Sequence, residues 1–403
     1  MDVKGSAGFM SDKVKKGMAE GSWIRRMFDE GNILRQKYGA DKVFDLTLGN
    51  PIVEPPPEFV RELRNLAEKP VPGMHRYMEN AGYTETRAAV AAQLQKETGI
   101  RLTAADVVMT CGAAGAMNVA LKTILNPGEE VIVFAPYFVE YLNYVDNHGG
   151  APKVVPTDEK FLPRLDALEK AIGKKTRAVI IDSPNNPTGV VYDEDLMRRI
   201  GNLLQKKEAD YGTQIYLISD EPYRKLIYDG LKYPSPLLFH PASIIATSHS
   251  KDLALPGERI GYLAINPECR GRQELVDGFI YCNRTLGFVN APALMQRIVA
   301  RLQNVTVSIE DYQKKRDFLY RNLTEIGYEC VKPQGAFYMF PKSPIPDDVA
   351  FVRALQEQMV LAVPGQGFGA PGHFRISYCT DDRTLAGALD GLRKTAKRFG
   401  LKS

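Results

Sequence analysis

In the stretch SHSKDLALPGERIGY a single lysine, Lys251, stands among small hydroxyl side chains, and Arg259 follows it before the next apolar run. A lysine taken alone is usually a solvated surface charge. Behind an apolar strand, however, an amine is partly desolvated, and its lowered pKa lets it attack a carbonyl and form a Schiff base. Arg259 is either the surface partner of Glu258 or, entering RIGYLAI from a Pro-Gly turn, a bidentate phosphate contact.

Other residues extend this chemistry. Asp220 ends the apolar run YLISD and is either a helix N-cap or a partly buried carboxylate that keeps a heterocyclic nitrogen protonated, with Tyr223 within reach of the same ring. SPNNPTG is a turn after a strand, and a cis Asn186–Pro187 bond there would fix the Asn186 amide as a donor to a phenolate or carboxylate. CGAAGAMN joins strand to helix through small residues, exposing backbone N–H groups at a helix N-terminus where a phosphate can sit. It matches neither the dinucleotide nor the Walker pattern. Arg375 lies inside the strand pattern HFRISY, where a charge needs an anion such as a substrate carboxylate.

The elements needed to hold these residues are legible in outline. An amphipathic run over Glu85 to Glu97 precedes VVMT, and then VIVFAP, AVIIDSP, IYLISDEPY and SIIATSHS recur as short apolar runs that give way to turns. Separated by helical patterns, they predict buried parallel strands with polar residues at their C-terminal ends, where open α/β sheets bind ligands. From Ser308 the pattern changes to a long charged helix, GAFYMF, a helix over FVRALQEQMV, the strand FRISYC and a basic closing helix, a smaller α+β unit completed by VFDLTLGNP. The expected division is an N-terminal arm at 1–21, loose in composition, a large domain at 57–305, and a small domain from 22–56 with 306–403. Met10 is a second candidate start.

Composition narrows the function classes. The 403 residues carry 52 basic and 48 acidic side chains with no long block of one sign, which argues against a dedicated nucleic-acid surface. The 5 cysteines form no C-x-x-C pair, so a reduced cytoplasmic setting is expected, with no metal site and no disulfide framework. No run reaches the roughly 18 apolar residues of a membrane span.

Taken in order, YxxxxGYxxxR from Tyr77, SPNNPTG, SDEPY, SxSK with ERIG, and FRIS resemble the class I and II aminotransferases, the aspartate-aminotransferase-like enzymes of fold type I. The resemblance runs from LGNP to FRISY. It implies an α/β fold with a three-layer large domain, a mainly parallel seven-stranded sheet and a smaller α+β domain. It also implies pyridoxal 5'-phosphate as cofactor, a ping-pong exchange of an amino group between an L-amino acid and a 2-oxo acid, and a homodimer with shared active sites. By the same resemblance Lys251 carries the cofactor and moves the proton at Cα, and Asp220 pairs with the pyridinium nitrogen. Tyr223 and Asn186 hydrogen-bond its phenolic oxygen, and Phe138 stacks on its ring. The backbone of Gly112, Ala113 and Ala114, together with Ser248, Arg259 and the partner's copy of Tyr77, would hold the phosphate. Arg375, Asn186 and Gly49 would bind the substrate α-carboxylate, and Arg284 is a candidate for a distal carboxylate.

Two departures bear on substrate. Aspartate-specific bacterial relatives often place a lysine where Ala113 stands and a tryptophan where Phe138 stands. A carbon–sulfur β-lyase or another Cα-elimination enzyme would use the same residues, because fold does not fix chemistry. A regulator built on this scaffold would carry an N-terminal DNA-binding module, and the residues before VFDLTLGNP show no helix-turn-helix pattern.

Overall fold

The computed structural model describes residues 9–19 and 23–401. Of the expected arm, residues 1–8, 20 and 21 lie outside the described residues. Asp12–Ala19 is a helix where a loose segment was expected, and the Lys13 amine meets the Asp146 carboxylate at 2.6 Å.

The strands, in chain order, are β1 (Phe44–Asp45), β2 (Val107–Thr110), β3 (Glu130–Ala135), β4 (Ala151–Pro156), β5 (Thr176–Asp182) and β6 (Tyr216–Asp220). They continue with β7 (Ser243–Ser248), β8 (Gly261–Ile265), β9 (Tyr338–Met339), β10 (Val360–Leu361), β11 (Val363–Pro364) and β12 (Phe374–Ser377). The seven-stranded sheet has the order β2-β8-β7-β6-β5-β3-β4. All its neighbours run parallel except β8, which is antiparallel to both β2 and β7.

Strands buried on both faces read as continuous apolar runs because alternate side chains serve opposite layers. Val131 and Val133 pack under the helices Gly112–Ile124 and Arg272–Thr285, whereas Ile132 and Phe134 face the layer that contains Leu196, Ile200 and Leu204 of the helix Glu194–Tyr211. Ile218 and Leu217 divide in the same way. The sheet is therefore the middle of three layers. Its parallel strands β5, β6 and β7 end in Asp182, Asp220 and Ser248, with Asp182 and Asp220 in register.

Two details depart from the sequence reading. The run APKVVP is a strand, β4, at the sheet edge, mostly exposed and too short of apolar residues to announce itself. Between β6 and β7 the described chain has no α-helix, only turns and the 3-10 turn Pro236–Leu238.

A second apolar cluster joins the helices Ile309–Ile326, Asp348–Glu357 and Asp382–Arg398 to the antiparallel sheet β11-β12-β9. β1 pairs in parallel with β10, Phe44 opposite Val360, so the segment that leads to Gly49 is tied to the C-terminal part of the chain.

Candidate active site

Lys251 leaves β7 in a tight turn, and its Nζ donates to the carbonyl oxygen of Gly49 at 2.7 Å. Burial pushes its amine down to about 8, and the positive charges of Arg259 and Arg375 act in the same direction while Cys379 opposes them. Such an amine holds a sizeable neutral, nucleophilic fraction near neutral pH.

Asp220 caps no helix. It is the last residue of β6, its Oδ2 accepts from the Tyr141 hydroxyl at 2.7 Å, and its Oδ1 is buried without a partner among the described residues. Burial raises its carboxyl to about 6 despite the Tyr141 hydrogen bond. Asp182, its neighbour across the strands, is raised further, first by burial and then by the charge of Asp220. Asp182 Oδ2 accepts the Asn186 backbone N–H at 3.0 Å, and its Oδ1 is also unpartnered. The ring of Phe138 meets Tyr141 edge to face at 5.5 Å, beside this carboxylate pair.

At the other end of the site Arg375 is buried in β12 without a carboxylate partner among the described residues. Its Nη1 donates to Asn186 Oδ1 at 3.0 Å and its Nη2 to the Thr47 carbonyl, while Nε has no acceptor. The guanidinium lies 4.5 Å from the centroid of Tyr338 and 4.9 Å from that of Phe368. Burial lowers its pKa from the usual arginine value, so a bound anion would relieve the desolvation. Tyr223 Oη stands 3.0 Å from Tyr338 Oη.

The anion corner is a third group. Gly112 begins the helix Gly112–Ile124 with φ 72°, and a Cβ there would lie 2.7 Å from Arg259 Nη2. Only glycine lets the guanidinium rest against that helix N-terminus, beside the free N–H groups of its first turn, which includes Ala113 and Ala114. Arg259 is exposed, donates to the Pro256 carbonyl at 2.9 Å and forms no ion pair with Glu258 or any other carboxylate among the described residues. Ser248 Oγ donates to Ser250 Oγ at 3.1 Å.

The expected cis bond is displaced: within SPNNPTG it is Ser183–Pro184 that is cis, not Asn186–Pro187. Tyr77 and Arg284 do not join the shell. Tyr77 is 89% exposed, and Arg284, on the exposed end of its helix, lies 5.7 Å from the Tyr281 ring centroid. The sequence reading passed over Tyr141, Asp182, Tyr338 and the Thr47 carbonyl. Asp182 had a signal, since it ends an apolar run as Asp220 does; the others are visible only once strands are paired. Volume alone would mislead here, because a groove of about 700 Å³ lies at the opposite strand ends, around Arg177, Gln214 and Arg270, away from every one of these groups.

Residues 41–392 match the family model of aminotransferase class I and II. The chain belongs to that family. The aminotransferase is 36% identical over 366 residues to a probable aspartate/prephenate aminotransferase of Thermus aquaticus, covering 89% of this chain and 92% of the relative. It is 32% identical over 404 residues to aromatic-amino-acid aminotransferase 2 of Thermococcus litoralis, covering 96% and 98%. Its fold superposes on the crystal structure of an amino transferase from Eubacterium rectale with a TM-score of 0.94 at 37% identity, covering 98% and 100%. The helices of the described residues include none long and apolar enough to cross a membrane.

Proposed function

We propose that the aminotransferase holds pyridoxal 5'-phosphate between Asp220 and the Gly112–Arg259 corner, with Lys251 as its covalent anchor. The residues fit that group. The orphaned Oδ1 of Asp220 suits a cationic ring nitrogen, and the Gly112 backbone with the unpaired Arg259 suits a phosphate. Bound there, the cofactor supplies an aldehyde carbon that accepts the amino group and a protonated ring that withdraws electrons.

The rest of the work falls to the chain. Arg375 takes the α-carboxylate of an L-amino acid in its fork, and Asn186, held by the Arg375 hydrogen bond, keeps its amide nitrogen as a donor. Lys251 Nζ takes the proton from the substrate Cα and returns it, a role its lowered pKa suits. Asp220, dry and fixed by Tyr141, places a preorganised negative charge where positive charge must be held. In the two half-reactions one amino acid leaves as its 2-oxo acid, and a second 2-oxo acid leaves as an amino acid.

The observation that carries this reading is the buried Lys251 amine, which donates to the Gly49 carbonyl and feels the charges of Arg259 and Arg375, at the strand edge where Asp220 ends β6. We further read the enzyme as a homodimer, in which exposed Tyr77 reaches the phosphate of the neighbouring copy, and Arg284 recognises a distal carboxylate. The free cysteines suit a cytoplasmic setting.

Absorbance of the purified protein tests the reading. Near-visible absorbance should appear with pyridoxal phosphate, bleach with amino acids alone, and be lost in Lys251→Ala, with turnover falling by at least about 10²–10⁴-fold. Release of ammonia and pyruvate without bleaching would instead identify β-lyase chemistry, and a protein that cannot be loaded would falsify the assignment.

A further inference from the structure

Tyr338 touches both ends of the site. Its hydroxyl lies 3.0 Å from that of Tyr223, and the two rings meet edge to face with centroids 5.7 Å apart. The Arg375 guanidinium lies 4.5 Å from the Tyr338 ring centroid. The third side is Gly49, whose missing side chain leaves room for the phenol, since a Cβ there would fall 1.7 Å from Tyr338 Oη. Strand pairing fixes these neighbours: Tyr338 on β9 sits opposite Ser377 on β12, and Arg375 shares a face with Ser377.

Each phenol has one proton, so one member of the pair donates and the other accepts. If Tyr223 donated to Tyr338, it would have no proton left for a ligand. Tyr338 is the better donor, because burial raises both hydroxyls but Tyr338 only to about 12, with the Arg375 charge drawing it down, while Tyr223 is raised further. The charged and titratable groups around the pair are Arg375 on β12, Cys379 just beyond it, Asp182 at the end of β5 and Tyr312 on the helix Ile309–Ile326, with the Lys251 amine on the Gly49 carbonyl.

We propose that Tyr338 is a positioning residue that turns Tyr223 into a hydrogen-bond donor toward the phenolic oxygen of bound pyridoxal phosphate and couples that donor to the Arg375 guanidinium. This rests on the site reading above. Two hydroxyls in series polarise each other, so the outer one strengthens the inner one's donation. When a substrate carboxylate neutralises Arg375, Tyr338 loses part of the field that makes it donate. Occupancy of the carboxylate end is thereby felt at the cofactor end without movement of the strands.

The test is a pH titration of the absorbance of the loaded protein. Tyr338→Phe keeps the ring, its stacking on Arg375 and its packing beside Gly49, and removes only the hydroxyl. The titration midpoint should rise by about 0.5–1 unit, the equivalent of one neutral hydrogen bond. A carboxylic acid without an amino group should raise the midpoint of the parent protein, and by a smaller increment in Tyr338→Phe. Tyr223→Phe and the double variant should titrate alike. A fluorinated tyrosine at position 338, a stronger donor, should move the midpoint downward, a sign that packing alone does not produce. A midpoint in Tyr338→Phe equal to the parent's, or a further shift on adding it to Tyr223→Phe, overturns the proposal. A parent protein without cofactor absorbance overturns the site reading itself and the proposal with it.

Discussion

The buried shell and the exposed rim of this site are built differently. In the shell, Lys251, Asp220, Asn186, Tyr223 and Arg375 sit in strands or in the turns just after them, each held by a hydrogen bond from a distant part of the chain. Tyr77 and Arg284, which the proposed reading places on the rim, are exposed, and among the described residues neither has a hydrogen bond to the shell. The difference separates two tasks. Groups that do chemistry must be desolvated and fixed, which a single packed chain achieves; on the reading proposed above, those that complete the phosphate site and select a side chain are left for another surface to bring in.

If that division is right, shell substitutions should damage turnover of every amino acid, and rim substitutions only some. Asp220→Asn should have the largest effect of those compared here, lowering kcat by about 10²–10³-fold in assays with any substrate pair. It also carries a pH signature. In the free protein Asp220 titrates near 6 against an ordinary value of 3.8, so between those limits the folded state holds a proton that the unfolded state has lost, and stability falls as pH rises through the window. A cationic ring beside the carboxylate removes that penalty. The gain in melting temperature on adding pyridoxal phosphate should therefore grow as pH rises through about 6, and thermal shifts in Asp220→Asn should lose this dependence.

Arg375→Lys comes next. An ammonium cannot reproduce the fork that meets Asn186 and a carboxylate together, so KM should rise by about 10- to 100-fold for all substrates. Steady-state kinetics with an acidic and an apolar amino acid would show equal losses; a loss confined to one of them would break the shell's generality.

On the rim, Arg284→Ala should cost about tenfold or more in kcat/KM for glutamate and 2-oxoglutarate while sparing an apolar amino acid. Equal losses for both would move Arg284 out of substrate recognition. The smallest effect is expected from Tyr77→Phe, about two- to tenfold in cofactor affinity for one lost hydrogen bond. Sedimentation should show a dimer, and in a monomer this substitution should change nothing.

Much of this division could be read before the structure. Apolar runs ending in Asp220, Ser248 and Asp182 announced both the strands and the edge where ligands bind, because parallel strands buried on two faces leave only their ends for polar residues. Lys251, Arg259 and Gly112 were legible from motif and local chemistry. What escaped depends on pairing between distant segments. Tyr141 is 79 residues from Asp220 and Tyr338 is 115 from Tyr223, and neither spacing leaves a trace in local pattern. β4 was missed because this edge strand is exposed at four of its six positions and so has no two-sided apolar run, unlike the buried edge strand β2. The cis bond was assigned to the wrong proline because both Pro184 and Pro187 stand in the same kind of turn.

The lone antiparallel strand has a consequence for the order in which the molecule is made. Across the sheet, Gly261 of β8 lies opposite Thr110 of β2 on one side and Ser248 of β7 on the other. Among the described residues β2 has no other strand neighbour. Although residues 107–110 leave the ribosome before every other strand of the sheet and long before β8, they have no place in it until 261–265 follow. On the proposed reading, a nascent chain that has just produced Lys251 has the amine but not yet Arg259 or β8, and a phosphate site at Gly112 must wait for the strand that comes back.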